Sequence, residues 1–217
     1  MSNLFVLFCV LAAVSAKLDI VEVEGKIEDA QCLAENTGTV FVRGYQSIGQ
    51  VDPNLRENVL KLNNAGVPVS AYMLPCFKCG NPRAQVQAMV AEMPIPNRRY
   101  FVHIISGQWS TNQEENRAFL TELIAELDSN DNAAGILTSD YHYNKVVGSD
   151  FDAFSDHMLF YIHADNEQTC SDFKPFGGWD RARAKKYDFE NPLCQLNVDY
   201  FWDCAIHTGE SVVSTSA

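Results

Sequence analysis

The chain alternates strand-length apolar runs with stretches of helical periodicity, and this alternation limits the folds it can adopt. Eight runs predict strands: Leu18–Val23, Thr39–Arg43, Pro68–Leu74, Tyr100–Ile105, Ala133–Thr138, Met158–His163, Ala184–Tyr187 and Leu196–Phe201. Helical stretches lie between most of them and are mostly absent near the end. Such alternation within one domain predicts a parallel sheet or an α/β barrel. A doubly wound sheet would need a glycine-rich phosphate turn after the first strand, and Gly25 alone does not supply one.

The first sixteen residues are typical of a secretory signal peptide. Leu4–Val14 is a short apolar run, and Val14-Ser15-Ala16 offers small residues at a cleavage site. A membrane anchor would need about 20 apolar residues, and Lys17 ends this run too early. We therefore expect an exported, extracellular protein with a single barrel domain over residues 17–207 and a flexible tail over residues 208–217.

The chain has a formal charge of −12, which limits the kinds of partner that it can bind. Such a charge disfavours nucleic acids and anionic membranes as partners, and it weighs modestly against attack on an anionic bacterial wall at neutral pH. No cofactor motif is present, so no cofactor is predicted. Oligomeric state cannot be inferred from these features.

Cysteine usage also fits export. Six cysteines follow the predicted signal: Cys32, Cys76, Cys79, Cys170, Cys194 and Cys204. An even number predicts up to three disulfides, for which 15 connectivities are possible. Cys76-Phe-Lys-Cys79 lacks the second closely spaced pair that a zinc site needs, so no metal site is predicted.

Six short motifs in order point to a family. They are Val42-Arg43-Gly44-Tyr45, Gly49–Asn54, Tyr72–Cys79, Gly107-Gln108-Trp109, Asn116–Phe119 and Phe176–Trp179. Together they resemble glycoside hydrolase family 25, the lysozymes, over nearly the whole mature chain, and most of all its animal, nematode and amoeba branch. The resemblance implies an irregular (β/α) TIM-like barrel with its active site at the carboxyl ends of the strands.

The resemblance also implies where the acids of the site should lie. The family has an Asp on the first strand, matched by Asp19, and an Asp near the last strand, matched by Asp199. Its Asp-x-Glu pair falls on His103 and Ile105, and the Glu of that pair is the general acid. Glycoside cleavage needs one protonated carboxyl and an anionic partner, and clustered carboxylates keep the acid protonated.

The segment around this pair contains no acid that could replace the missing ones. No Asp or Glu occurs from Met93 through Gln113, although the chain contains 28 acids. Loss of a general acid typically forfeits about 10²–10⁴-fold in rate. Lys186 also replaces an amide that is usual in that branch, which places a cation near the cleft. The sequence therefore predicts lost or strongly reduced muramidase activity.

Several other residues have both a functional and a structural interpretation. Arg43, Tyr72, Trp109, Asp140 and Asp165 are candidate substrate-binding residues. The aromatic candidates, which also include Tyr45 and Trp179, could instead belong to the core. Arg43 could instead pair with Asp19. Asp140 and Asp165 could be replacement acids or merely loop acids and helix caps. His103 could be a core histidine with its hydrogen bonds satisfied.

Three functional hypotheses remain open. The first is a secreted lysozyme-like protein of innate defence that has lost cleavage and still binds peptidoglycan or another N-acetylated glycan. The second is an active hydrolase with a rearranged acid set in which His103, Asp140 or Asp165 acts. The third is a non-catalytic scaffold for a protein partner.

Overall fold

The computed structural model describes residues 17–96, 98–129 and 132–208, so the predicted signal and the tail from residue 209 lie outside the described residues. The described strands are β1 (Leu18–Val23), β2 (Thr37–Gln46), β3 (Gln50–Val51), β4 (Val69–Met73), β5 (Arg99–His103), β6 (Ala133–Thr138), β7 (Met158–Ile162), β8 (Ala184–Leu193) and β9 (Leu196–Asp203). The described helices are α1 (Ala30–Asn36), α2 (Leu55–Asn64), α3 (Pro82–Glu92), α4 (Gln113–Asp128), α5 (Asp140–Val147) and α6 (Cys204–Thr208), with a 3₁₀ turn at Phe77–Cys79.

Eight of these strands close into a barrel. Their order around the barrel is β1-β9-β8-β7-β6-β5-β4-β2, and β2 pairs with β1 to complete the ring. Each strand of the ring other than β9 is parallel to its neighbours other than β9. Strand β9 runs antiparallel to both of its neighbours, β1 and β8. Strand β3 forms only a short hairpin with β2. The predicted α/β barrel is confirmed.

The helices begin where the sequence provides capping side chains. The side chain of Asn112 accepts a hydrogen bond from the backbone N–H of Glu114 at the start of α4. Asn81 caps α3 by accepting from the backbone N–H of Ala84, directly before Pro82. Both caps satisfy backbone donors that a first helical turn leaves free. Capping side chains thus mark the starts of α3 and α4 in the sequence.

The two faces of the strands bury different residues. A compact layer of mostly aromatic and aliphatic side chains fills the barrel lumen: Ile20, Phe41, Tyr72, Phe101, Leu137, Phe160, Ala184 and Phe201. The larger hydrophobic core lies outside the ring, between the strands and the helices. Because side chains alternate across a strand, polar residues of the lumen lie above or below this layer. The lumen therefore has a polar carboxyl end and a separate polar amino end.

Three disulfides join the six cysteines predicted to pair: Cys32–Cys194, Cys76–Cys79 and Cys170–Cys204. The first links α1 to the turn between β8 and β9. The third links the loop after β7 to the start of α6. Within the described ranges, no helix has the length and apolar character needed to cross a membrane.

Candidate functional site at the carboxyl end of the barrel

Three charged side chains meet in the lumen at the carboxyl end, and we call them the lumen charge cluster: Glu22, Lys186 and Asp199. Strand register brings them together, because Glu22 of β1 lies directly opposite Asp199 of β9. Lys186 of β8 places its Nζ 2.6 Å from Glu22 Oε2 and 3.0 Å from Asp199 Oδ2. Lys186 and Glu22 are almost fully buried, and the Asp199 side chain is 21% exposed. Only Asp199 of the three therefore reaches solvent, and the cluster lies at the carboxyl end of the lumen, the region that we call the cleft.

Electrostatics keep Lys186 protonated. Burial opposes its charge, but the neighbouring carboxylates Glu22 and Asp199 raise the pKa of Lys186 on balance. Burial also raises the pKa of Glu22, while the Lys186 charge acts in the opposite direction. The Lys186 Nζ lies between two aromatic rings, 5.1 Å from the Phe201 centroid and 5.5 Å from that of Phe189. The cation is therefore part of the cleft floor and fixes the positions of both acids.

A second charged group forms the wall next to this floor. Arg43 donates from Nε to Asp52 Oδ2 at 2.7 Å and from Nη1 to Glu24 Oε2 at 2.8 Å. Tyr72 donates its hydroxyl to Glu24 at 3.3 Å. Burial, together with the charges of Glu22 and Glu24, raises the pKa of Tyr72 well above its usual value. Arg43 thus has the predicted structural role, but its partners are Asp52 and Glu24 rather than Asp19.

The positions of the missing acids lie at the end of β5. His103 is 7% exposed, and neither of its ring nitrogens has a hydrogen-bond partner among the described residues. Burial, then the charges of Lys186 and His142, lower the pKa of His103 well below its usual value. His103 is therefore a buried neutral imidazole, but the expected satisfied hydrogen bonds are not found. A group that stays neutral in this way is poorly suited to supply a proton in catalysis.

Ile105 lies beyond the last residue of β5 and is 38% exposed. An acid at this position would have access to solvent and to a ligand in the cleft, whereas the isoleucine offers only apolar surface. The Ile105 carbonyl accepts a hydrogen bond from Trp109 Nε1 at 3.0 Å, so the loop that follows β5 is held in place at the cleft rim.

The structure does not bring Asp19 together with Asp199. Asp19 is near the amino end of β1, where its Oδ2 accepts from the Asp203 backbone N–H and contacts His207 Nε2 at 2.8 Å. The expected pairing of Asp19 and Asp199 in one cleft is therefore corrected: the first-strand acid beside Asp199 is Glu22. Asp19 and Glu22 are only three residues apart along β1, yet they lie towards opposite ends of the barrel.

Comparison with known proteins agrees with this barrel fold. The family model described as Lysozyme-like protein 1 matches residues 12–187. "Probable GH family 25 lysozyme 2" of Dictyostelium discoideum is 34% identical over 206 residues, which are 92% of this chain and 95% of the relative. This chain belongs to glycoside hydrolase family 25. "Lysozyme-like protein 5" of Caenorhabditis elegans is 28% identical over 204 residues, covering 89% of this chain and 94% of that protein.

Solved structures of the family share the fold at low sequence identity. A bacterial lysozyme from Streptomyces coelicolor superposes with a TM-score of 0.72 at 13% identity, over 89% of this chain and 99% of that one. A GH25 lysozyme from Aspergillus fumigatus gives a TM-score of 0.70 at 10% identity, over 88% and 96% of the two chains. At such low identity the likeness shows the barrel alone. The family's lysozyme-like relatives support a glycan-cleaving or glycan-binding function.

The aromatic candidates of this family 25 barrel differ in position. Tyr45 and Trp179 are buried in the outer core, and Trp179 Nε1 donates to the His157 carbonyl. Trp109 is partly exposed and packs against Phe77 and Phe119. Tyr72 lies in the lumen beneath Glu24. Of these aromatic residues, Trp109 and Tyr72 lie close to the cleft, whereas Tyr45 and Trp179 belong to the hydrophobic core.

The two proposed replacement acids do not join the lumen charge cluster. Asp165 accepts from Lys185 Nζ at 2.7 Å, and Lys185 belongs to the opposite face of β8 from Lys186. Asp140 is exposed in the first turn of α5, where its Oδ1 accepts from the Asn144 amide. Asp165 therefore lies outside the barrel wall, and Asp140 acts locally on its own helix.

His163, Asp165 and Asp172 lie close enough to one another to suggest a cation site. The Lys185 ammonium, however, is 2.7 Å from Asp165 and 3.1 Å from Asp172. The lysine therefore occupies the place that a metal ion would take. We call these four residues, with Tyr161, the outer cluster.

Three residues of the site were not singled out in the sequence: Glu22, Glu24 and Asp52. A usable signal for Glu22 was its position, because the carboxyl ends of parallel strands face the cleft and Glu22 is nearer that end of β1 than Asp19. Asp52 had no such signal, since it contacts Arg43 across a hairpin whose register is visible only in the fold.

Proposed function

We propose that this chain binds peptidoglycan or another N-acetylated glycan in the cleft at the carboxyl end of the barrel and has lost most or all hydrolytic activity. The observation that carries the proposal is the chemistry at positions 103 and 105. A buried neutral imidazole and an exposed isoleucine stand where the resemblance implies an Asp and the general acid.

The retained acids support the loss of cleavage. Glu22 and Asp199 are both bound to Lys186, so neither is free to share a proton with a glycosidic oxygen. A protonated carboxyl at the leaving oxygen is what most glycoside hydrolases require. Asp199, whose side chain is 21% exposed, still offers a carboxylate that hydroxyl and amide groups of a sugar can bind.

Secretion and a role in innate defence form part of the same proposal. The apolar leader of residues 1–16 supports export, and three disulfides favour an oxidising compartment. The charge of −12 favours glycan recognition through hydrogen bonds and stacking over recognition through charge.

The binding part is tested with the purified chain on insoluble peptidoglycan and with N-acetylglucosamine oligomers by calorimetry. We expect saturable binding that Phe189→Ala weakens, because Phe189 lies at the rim above Lys186. Leu60→Ala is the matched control, since Leu60 is equally exposed at 41% but lies on α2. Absence of binding, or equal loss in both variants, would refute the proposed cleft.

The loss of cleavage is tested by turbidity of bacterial walls. The unaltered chain should leave the walls turbid, and His103→Asp with Ile105→Glu should restore clearing. We expect stronger clearing when Lys186→Gln is added, because the ammonium would otherwise lower the pKa of a nearby carboxyl. Rapid clearing by the unaltered chain would show that hydrolysis is retained, independently of the binding result.

A further inference from the structure

The amino end of the barrel lumen contains a second polar cavity, on the side of the aromatic layer opposite the cleft. It measures about 290 Å³, and its floor is formed by lumen residues, among them Phe41, Phe101 and Phe160. Its wall contains Thr39, Ser70, Arg98, Arg99, Arg183 and Asp203. The aromatic layer separates this cavity from the lumen charge cluster, so it is not part of the glycan cleft.

The charge in this cavity is unusual for an acidic chain. Three arginines line it, and Asp203, the sole carboxylate among the lining residues, pairs with Arg183. No ion pair joins Arg98 or Arg99 to another described residue, although both line the cavity. Among the described residues, these two guanidinium groups therefore have no carboxylate partner, in a protein whose formal charge is −12.

The arginines are also close enough to repel one another. Burial lowers the pKa of Arg99. Burial, and then the charge of Arg99, lower the pKa of Arg183, with Asp19 acting in the opposite direction. Asp19 is itself bound to His207 and to the Asp203 backbone. Because Asp203 already neutralises Arg183, the exposed Arg99 is the charge that an added anion would neutralise.

Further hydrogen-bond donors face the same space. Thr39 and Ser70 line the cavity, and in the described structure neither hydroxyl has a hydrogen-bond partner. Arg98 Nε is buried and likewise has no partner among the described residues. Guanidinium and hydroxyl groups are the donors that bind phosphate, sulfate and carboxylate oxygens. Arg183 also borders a separate, larger cavity of about 950 Å³.

We propose that the amino end of this barrel is a binding site for a small oxyanion, a phosphate or sulfate group either free or esterified to a sugar, held mainly by Arg99 and Arg183. Ser70 and Thr39 supply the additional hydrogen bonds. The site is independent of the glycan cleft, so each can be present without the other.

The test is calorimetric titration of the full chain with sodium phosphate, sodium sulfate and glucose 6-phosphate, with sodium chloride keeping the ionic strength constant. We expect one saturable site. Arg99→Gln should weaken it by about tenfold, which corresponds to one lost charge-assisted contact. Ser70→Ala should weaken it less. Arg56→Gln is the control, because it removes the same charge from an exposed position on α2 outside the cavity.

The outcomes separate the sources of the anion. Binding of all three probes supports a general oxyanion site, and binding of glucose 6-phosphate alone supports a site for phosphorylated sugars. No saturable binding of any probe would overturn the proposal, as would an equal loss in Arg56→Gln and Arg99→Gln. Urea unfolding of each variant shows whether its fold is intact, and Ser70→Ala provides a second reading should Arg99→Gln be unstable.

Discussion

Lys185 and Lys186 are consecutive residues of β8, both almost fully buried, yet they lie on opposite sides of the barrel wall. Lys186 points into the lumen and binds Glu22, which is 2% exposed, and Asp199. Lys185 points outward to Asp165 and Asp172, whose side chains are 26% and 25% exposed. A carboxylate that reaches water can lose its partner at modest cost, whereas a fully buried one cannot. Loss of the lysine should therefore lower the free energy of unfolding more in the lumen charge cluster than in the outer cluster.

Lys186→Met should produce the largest loss of stability. The substitution leaves Glu22 buried without a counter-charge, and removal of one partner from a buried pair costs about 3–5 kcal/mol. Urea unfolding followed by fluorescence measures the change in the free energy of unfolding.

Lys185→Met is the matched control, with an expected loss of roughly 1–3 kcal/mol because its two carboxylates keep contact with water. The double variant Glu22→Gln with Lys186→Met should be more stable than Lys186→Met alone, since it removes the unpaired charge. A greater loss in Lys185→Met than in Lys186→Met would reverse the ranking of the two clusters.

The outer cluster should instead give the clearer acid dependence. Burial alone would raise the pKa of Asp172, but hydrogen bonds from Tyr161, His163 and Lys185 lower it to about 2. A carboxyl whose pKa is lower in the folded state stabilises the fold above the unfolded pKa of about 3.9, and this contribution disappears as the pH falls towards 2.

Asp172→Asn should therefore cost about 2–3 kcal/mol at pH 6, because the pKa of this carboxyl is about 2 in the folded chain and about 3.9 in the unfolded chain. The difference between the two proteins should shrink steadily between pH 4 and about pH 2. Unfolding curves across this range provide the measurement. A difference that does not change with pH would mean that the loss comes from packing and not from the ionised carboxylate.

His163→Gln should have the smallest effect. The His163 side chain is 55% exposed, although its Nδ1 contacts Asp172 Oδ2 at 2.5 Å. Ion pairs that water can reach contribute about 0–1 kcal/mol. A loss above that range in urea unfolding at pH 6 would show that the outer cluster behaves as a buried network.

The sequence alone predicts the elements of the fold correctly where local signals and hydrophobic periodicity agree. Strand β1 and strand β6 have the predicted bounds, and the caps at Asn81 and Asn112 are where capping chemistry places them. It was insufficient at the end of the chain, where β8 extends to Leu193 and forms an antiparallel hairpin with β9. Hairpin extension depends on cross-strand contacts that a single segment does not reveal.

The site could be predicted only in part for a similar reason. The positions of His103 and Ile105 at the carboxyl end of β5 follow from the strand assignment, whereas that of Asp199 depends on the antiparallel pairing of β9. Asp19 was placed by resemblance to a motif, and a shift of three residues along one strand moved the prediction to the other end of the barrel. The pairing of Lys186 with Glu22 depends on register between β8, β9 and β1, which involves residues more than 160 positions apart.

The Cys32–Cys194 disulfide encloses 162 positions of sequence within one covalent ring. A protease that cuts any loop inside this ring leaves both pieces attached to each other. Strands β2 to β8 then stay docked, because this disulfide holds the barrel together in addition to the hydrogen bonds between its strands. Separation of the two pieces then requires a reductant as well as a protease, and a singly nicked chain should run as two bands only after reduction.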